Sequence, residues 1–132
     1  MPENVYLEAI NNTNVMADMV EEYHITNEYK YPHLWSEPDK LFKEKINKGF
    51  KKRGCNKFPN SAEYKKRVQY EYNTYKNNGM TEFMLLSTDF VEYCNEHGIE
   101  VGYGRGSVNG SVIAWMLGIT EMDSIKHKLN FE

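Results

Sequence analysis

Four glycines fall in the nine positions Gly102-Tyr103-Gly104-Arg105-Gly106-Ser107-Val108-Asn109-Gly110, with one arginine and a serine among them and Ser111 directly after. Glycine reaches positive φ without a Cβ penalty, so such a run turns sharply and lets a ligand approach the backbone. Ile99-Glu100-Val101 ahead of it alternates like a short strand, and Ser107 to Leu117 behind it reads as a helix. A strand-to-helix junction of this kind suits a phosphate. The N–H groups of the first helical turn and the positive end of the helix dipole face an anion, and Arg105 can grip phosphate through paired hydrogen bonds. Ser107 can cap the helix and offer its hydroxyl to the same anion. The candidate anion-binding residues are therefore Gly104, Arg105, Gly106 and Ser107. The same composition also serves a chain that only has to turn tightly. No Lys follows the last glycine as a Walker loop requires, and Gly104-x-Gly106-x-x-x-Gly110 is a loose relative of the dinucleotide fingerprint.

A second chemistry is electrostatic. Lys40, Lys43, Lys45, Lys48, Lys51, Lys52, Arg53 and Lys57 face a single acid, Glu44, within that span, whereas the whole chain carries a formal charge of −3. Lys48, Lys51, Lys52 and Arg53 are candidates for contact with a DNA backbone. The bland alternative is the solvated face of an amphipathic helix. Glu121-Met122-Asp123 resembles the paired acids that hold two Mg²⁺ ions, but it sits in a turn rather than a strand, and Asp123 reads better as a helix cap. Cys94-x-x-His97, with Cys55 and His24, His33 or His127 elsewhere, lacks the second paired motif of a zinc site. No metal ligands are assigned. Gly-Arg-Gly-Ser is not a nucleophile elbow, and no catalytic residue is assigned either.

The elements that would position these groups are mostly helical. Helices are expected from Val5 to about Tyr23, from Asp39 as cap to about Arg53 with Gly54 just beyond, and from an Asn60…Glu63 capping box to Asn77. Another should run from about Thr81 to Glu96; its apolar residues cover much of its circumference, so it should be buried. His24 to Pro38, with two prolines, reads as an extended connector, and Asp123 to Leu129 as a last helical turn or two. Ten Tyr, six Phe and two Trp in 132 residues can build a modest core, which argues for an ordered domain. Two distant cysteines suit a reducing cytoplasm, and no run approaches the ~20 apolar residues that span a bilayer.

The order of the pieces is more telling than any one of them. Tyr70-Glu71-Tyr72, Asn78-Gly79-Met80-Thr81-Glu82-Phe83, Asp89-Phe90-Val91, Gly98 through Ser107, Gly110-Ser111, Leu117-Gly118-Ile119-Thr120 and Asp123 follow one another in a pattern that resembles the palm domain of the alpha subunit of bacterial DNA polymerase III, the C-family replicative polymerases. The likeness runs from about Tyr64 onward, while Asn12 to Asp18 and Gly49 to Arg53 are similar, more loosely, to the helical lead-in of that palm.

The resemblance implies one domain over 1–132, with 1–60 as lead-in and 61–132 as palm portion. Its class would be α+β, predominantly helical: a partial nucleotidyltransferase-like palm with a minimal strand at about 99–103, open to pairing with another chain. It implies that Gly106-Ser107, with Arg105 beside it, lies against the triphosphate of the incoming nucleotide. Tyr103 stands where the family usually has proline, Val108-Asn109 replace two small residues, and Ser124 replaces a proline. The family's metal-binding aspartates fall beyond Glu132, so Mg²⁺ would be held outside this chain and the isolated chain would be inactive. The implied partners are the remainder of the polymerase, a deoxynucleoside triphosphate and primer-template DNA, in the cytoplasm of a bacterium or phage-infected cell, with no membrane. The rival reading is a non-catalytic helical nucleic-acid-binding or adaptor module that uses the basic helix 40–53.

Overall fold

The computed structural model describes residues 2–26, 28 and 31–131, and the chain divides into two compact units, 1–30 and 31–132. The first unit holds α1, Glu3–Asp18. It ends five residues before the expected limit at Tyr23, and it buries none of its residues: Tyr6, Ile10 and Met16 are all exposed. The connector expected at 24–38 falls partly outside the described residues; its described part has no helix or strand up to Glu37, and Trp35 packs against the core of the second unit.

The second unit is built from α2 (Pro38–Lys52), α3 (Ser61–Asn77), α4 (Thr81–Glu96) and α5 (Val112–Leu117), with short 3₁₀ turns at Cys55–Lys57 and Gly106–Gly110. α5 is only six residues long, too short to hold its shape alone, and every one of them is buried. It is the pivot of the core. α2 and α3 pack directly on it, α2 with Phe42 and Ile46 and α3 with Tyr64 in the shared core, and α4, which packs on α2, adds Met84 and Leu85 to that core. Gly49 marks the closest approach of α2 to α5: a Cβ there would collide with the Met116 carbonyl. Gly54 sits at φ 73° immediately after α2, the left-handed turn that ends a helix without strain only at glycine.

Several expectations are corrected by local contacts. α2 begins on Pro38, and Asp39 is not its cap; the Asp39 carboxylate pairs with Lys76 at 2.8 Å and accepts from the Thr81 hydroxyl, tying together α2, α3 and α4. Lys76, donating to it, holds its carboxyl below the usual range. The Asn60…Glu63 capping box is not formed; the Asn60 amide bonds the Glu63 carboxylate side chain to side chain. α4 has the expected bounds, but only Thr81, Met84, Leu85 and Thr88 are buried, while Phe90 and Tyr93 stay more than half exposed. Its apolar girdle exceeds what its neighbours cover.

The strand expected at 99–103 is not present among the described residues, which contain five α-helices and no strand. A strand needs a ladder, whereas the Ile99 N–H bonds back to the Cys94 carbonyl at 2.8 Å and the Tyr103 carbonyl accepts from the Glu121 N–H at 3.0 Å. No helix among the described residues is long and apolar enough to cross a membrane.

Burial also silences Cys55. Loss of water around the sulfur, with Asp123 nearby, pushes its thiol from 9.0 up to about 11. The thiolate is the reactive form, so alkylation of Cys55 at pH 8 is expected to run roughly a hundredfold slower in the folded chain than in denaturant. Mass spectrometry of iodoacetamide-treated protein reads this directly; equal rates in the two states would contradict it.

Candidate functional site

Between Ser107 and Leu117 the expected single helix is broken in two. Gly106–Gly110 forms a 3₁₀ turn, Ser111 is extended at φ −87°, ψ 121°, and only then does α5 begin. The break has a cause forty residues upstream. Glu71 of α3 is fully buried beneath this junction. Its Oε1 accepts from Arg67 Nε at 2.8 Å and from the Val112 N–H at 3.0 Å, while its Oε2 accepts from the Ser111 hydroxyl at 2.7 Å and the Ile113 N–H at 3.0 Å. Ser111 Oγ in turn accepts from the Ala114 N–H at 3.0 Å. The Ser111 N–H itself reaches the Val108 carbonyl at 3.0 Å. All four N–H groups that a helix start leaves unpaired are thus satisfied by the protein itself. The dipole end that the sequence suggests for a phosphate is occupied by an internal carboxylate.

The other end of α5 is held by the opposite charge. Arg53 donates from Nε to the Trp115 carbonyl at 3.0 Å, forms a two-pronged pair with Glu121 at 2.8 and 3.1 Å, and lies 5.0 Å from the centre of the Trp115 ring. A carboxylate at the N-terminus and a guanidinium at the C-terminus both complement the helix dipole.

What remains open to a ligand is the turn ahead of α5. Gly104 sits at φ 103° and Gly106 at φ 69°, so the backbone reverses on both sides of Arg105. Gly104 is doubly constrained, because a Cβ there would lie 2.7 Å from Asn109 Oδ1 and 2.8 Å from a Thr120 methyl. The larger Asn109 is thus accommodated by the glycine it faces. Arg105 and Ser107 are exposed, and among the described residues neither side chain has a hydrogen-bond or ion-pair partner. Ser107 stands at the rim of a groove of about 400 Å³ lined by Tyr70, Tyr75, Met80, Phe83 and Phe131, walled by α3, the start of α4 and the last described residues. Gly104, half-buried, and the exposed Arg105, Gly106 and Ser107 thus form one contiguous turn.

The basic helix is less free than its composition suggests. Arg53 is committed to Trp115 and Glu121, and Lys45 bridges Asp89 at 3.2 Å and Glu92 at 2.6 Å on α4. Lys48, Lys51 and Lys52 remain exposed and, among the described residues, without side-chain partners. The acids of the 121–123 segment are also engaged. Glu121 pairs with Arg53, and Asp123 accepts from the Tyr64 hydroxyl at 2.6 Å and from the Ile125 and Lys126 N–H groups at 3.1 Å. Asp123 is the cap of a turn, as the sequence suggests, and Tyr64, buried and bonded to that carboxylate, has its hydroxyl pushed well above the usual range. These two acids do not fit a metal pair, and no group of three His, Cys, Asp or Glu among the described residues is arranged to hold a cation.

The residues that sequence reasoning missed are Glu71, Arg67 and Ser111. Their signal was present: Arg67 and Glu71 stand four apart on the stripe that also carries Tyr64, Val68 and Tyr75, and a charged pair on an apolar helical face is either a misread period or a buried bridge.

Residues 40–132 match the family described as the bacterial DNA polymerase III alpha NTPase domain. Among curated proteins, the DNA polymerase III subunit alpha of Aquifex aeolicus is 32% identical over 130 residues, covering 93% of this chain and 11% of the relative. The subunit of the same name from Campylobacter jejuni is 39% identical over 97 residues, 71% of this chain and 8% of the relative. That of Bacillus subtilis is 44% identical over 69 residues, 52% of this chain and 6% of the relative. The chain therefore spans about a tenth or less of the length of these relatives.

Proposed function

Because this chain belongs to the family of the bacterial DNA polymerase III alpha NTPase domain, we propose that it is a piece of a replicative DNA polymerase whose Gly104–Ser107 turn holds the triphosphate of the incoming deoxynucleotide. The observation that carries this reading is the state of the turn. Two positive-φ glycines present Arg105 and Ser107 outward with no partner of their own among the described residues, while Ser111, Val112 and Ile113 behind them are pinned by buried bonds to Glu71. A guanidinium and a hydroxyl held on a fixed backbone suit an anion of several oxygens. The adjoining groove gives the apolar part of a nucleotide a place beside the phosphates.

In this proposal the chain supplies positioning. Arg105 neutralises phosphate charge, Ser107 donates to a phosphate oxygen, and the 3₁₀ turn keeps the two in register. Mg²⁺, which would neutralise charge between the primer 3′ oxygen and the phosphates, has no fitting ligands in the 121–123 segment, and its holders belong to the remainder of the polymerase. Residues 99–103 form neither helix nor strand; pairing with a strand of that remainder would complete an α+β palm of the nucleotidyltransferase kind. The setting of such an enzyme is the cytoplasm of a bacterium or of a phage-infected cell.

A second reading, a non-catalytic nucleic-acid-binding or adaptor module, draws on Lys48, Lys51 and Lys52, which stand free in solvent on one helix. Titrating the chain with deoxynucleoside triphosphate and, separately, with primer-template DNA across a salt series discriminates the two. The proposed function predicts triphosphate binding that depends on the turn. Steep salt-dependent DNA binding, abolished by charge reversal at the three lysines and indifferent to the turn, would favour the adaptor.

A further inference from the structure

A ligand anion and the N-terminus of α5 would ordinarily attract each other, yet in this fold that attraction is already satisfied from within. Glu71 is the fully buried carboxylate among the described residues, and its four bonds reach Arg67, Ser111, Val112 and Ile113. Arg67 carries the same clamp one residue further back: its Nη2 donates to the Gly110 carbonyl at 3.0 Å and to the Leu129 carbonyl at 3.2 Å. Gly110 is in turn seated so closely on Asn130 that a Cβ would strike the Asn130 carbonyl. The C-terminal end of the 3₁₀ turn is therefore fixed by one ion pair from α3, whereas its N-terminal end, Arg105 to Ser107, is exposed.

We propose that Glu71 is a positioning residue for the turn: a resident anion that closes the start of α5 to phosphate and, with Arg67, anchors Gly110-Ser111 so that Arg105 and Ser107 are presented at one place. This rests on the reading of the turn as a triphosphate site. Removing the carboxylate would take the acceptor from the Arg67 Nε–H, the Ser111 O–H and the Val112 and Ile113 N–H groups, leaving Arg67 only its bonds to the Gly110 and Leu129 carbonyls. The turn would lose its anchor, and a misplaced anion site would open behind it.

The test uses the full 132-residue chain, with inorganic tripolyphosphate and deoxyadenosine triphosphate as probes in calorimetric titrations. Glu71→Gln and Glu71→Ala should weaken both probes on the order of tenfold, with helical content unchanged. Added formate, which can fill the space of the missing carboxylate, should restore Glu71→Ala to within about twofold while leaving the parent protein unaffected; a carboxylate that only stabilised the fold would not be replaced in this way at constant helicity. If Arg105→Ala weakens binding and the Glu71 variants do not, the positioning role is overturned and the site stands. If the parent chain binds neither probe, the triphosphate reading falls, and the anchor is judged by hydrogen exchange. Glu71→Gln must then speed exchange in Gly106–Gly110 as well as in α5, and a change confined to Val112–Ala114 overturns it. Should the Glu71 variants fail to fold, Ser111→Ala, which removes one bond to the carboxylate and the acceptor of the Ala114 N–H but leaves Arg67 paired, should weaken binding roughly threefold; unchanged affinity would again overturn the proposal.

Discussion

Gly49→Ala is expected to destabilise the helical unit by about 3 kcal/mol, seen as a lower denaturant midpoint at unchanged slope. Propensity alone argues for the opposite sign, since alanine in mid-helix is better than glycine by about 1 kcal/mol. Sterics decide, because the added Cβ would meet the Met116 carbonyl oxygen, with the carbonyl carbon at 2.8 Å and the Met116 Cβ at 3.0 Å. All three atoms sit on or next to backbone in α5, which is pinned by Glu71 at one end and Arg53 at the other and cannot retreat. Gly102→Ala is the matched control, since a Cβ there meets nothing within 4 Å. A Gly49→Ala protein as stable as the parent would mean that α2 and α5 are not in backbone contact.

The second large effect is an all-or-none one: the isolated chain should extend no primer in Mg²⁺. Joining a primer 3′ oxygen to a nucleotide needs acidic side chains to hold the metals, and the acids that the sequence offers are spent on structure. Glu121 is locked in a two-pronged pair with Arg53, and Asp123 is engaged by Tyr64 and two N–H groups. Freeing either would uncover the end of α5 or the turn after it. A gel assay with labelled primer should therefore show activity only when polypeptide supplying the rest of the polymerase is added. Synthesis by the chain alone, lost on Asp123→Asn, would show that these acids bind metal after all.

How much of this was legible beforehand follows the range of the forces involved. Local signals read well. Gly54 and Gly79 at positive φ close α2 and α3, the bounds of α4 are those its periodicity predicts, and Asp123 caps the turn it precedes. Long-range contacts did not. Nothing near Ser107 to Leu117 announces that a glutamate forty residues earlier will take the first N–H groups of α5 and split the expected helix at Ser111. Nor does the composition of α4 reveal which of its apolar faces will find a neighbour, and Phe90 and Tyr93 found none that buries them. Arg53 looked like one more cation in a basic run, and only the folded backbone shows that it is the clamp on Trp115 and Glu121. The candidate site divided the same way. The turn was legible because glycine, arginine and serine carry their chemistry locally, whereas the Arg67–Glu71 pair that holds it has meaning only once α3 lies under α5.

Whether the exposed turn grips a triphosphate is read directly from the affinity of the chain for deoxynucleoside triphosphate with Arg105 and Ser107 changed one at a time. Arg105→Ala should lose about 1.5–3 kcal/mol, roughly ten- to a hundredfold in Kd, because a cation with paired bonds to phosphate is removed; Ser107→Ala should lose less, about 1.5 kcal/mol, because its uncharged hydroxyl makes a single bond to phosphate. Both side chains are exposed and, among the described residues, without side-chain partners, so neither change should disturb folding. Parent-like affinity in both variants, with the helical spectrum intact, would contradict the claim.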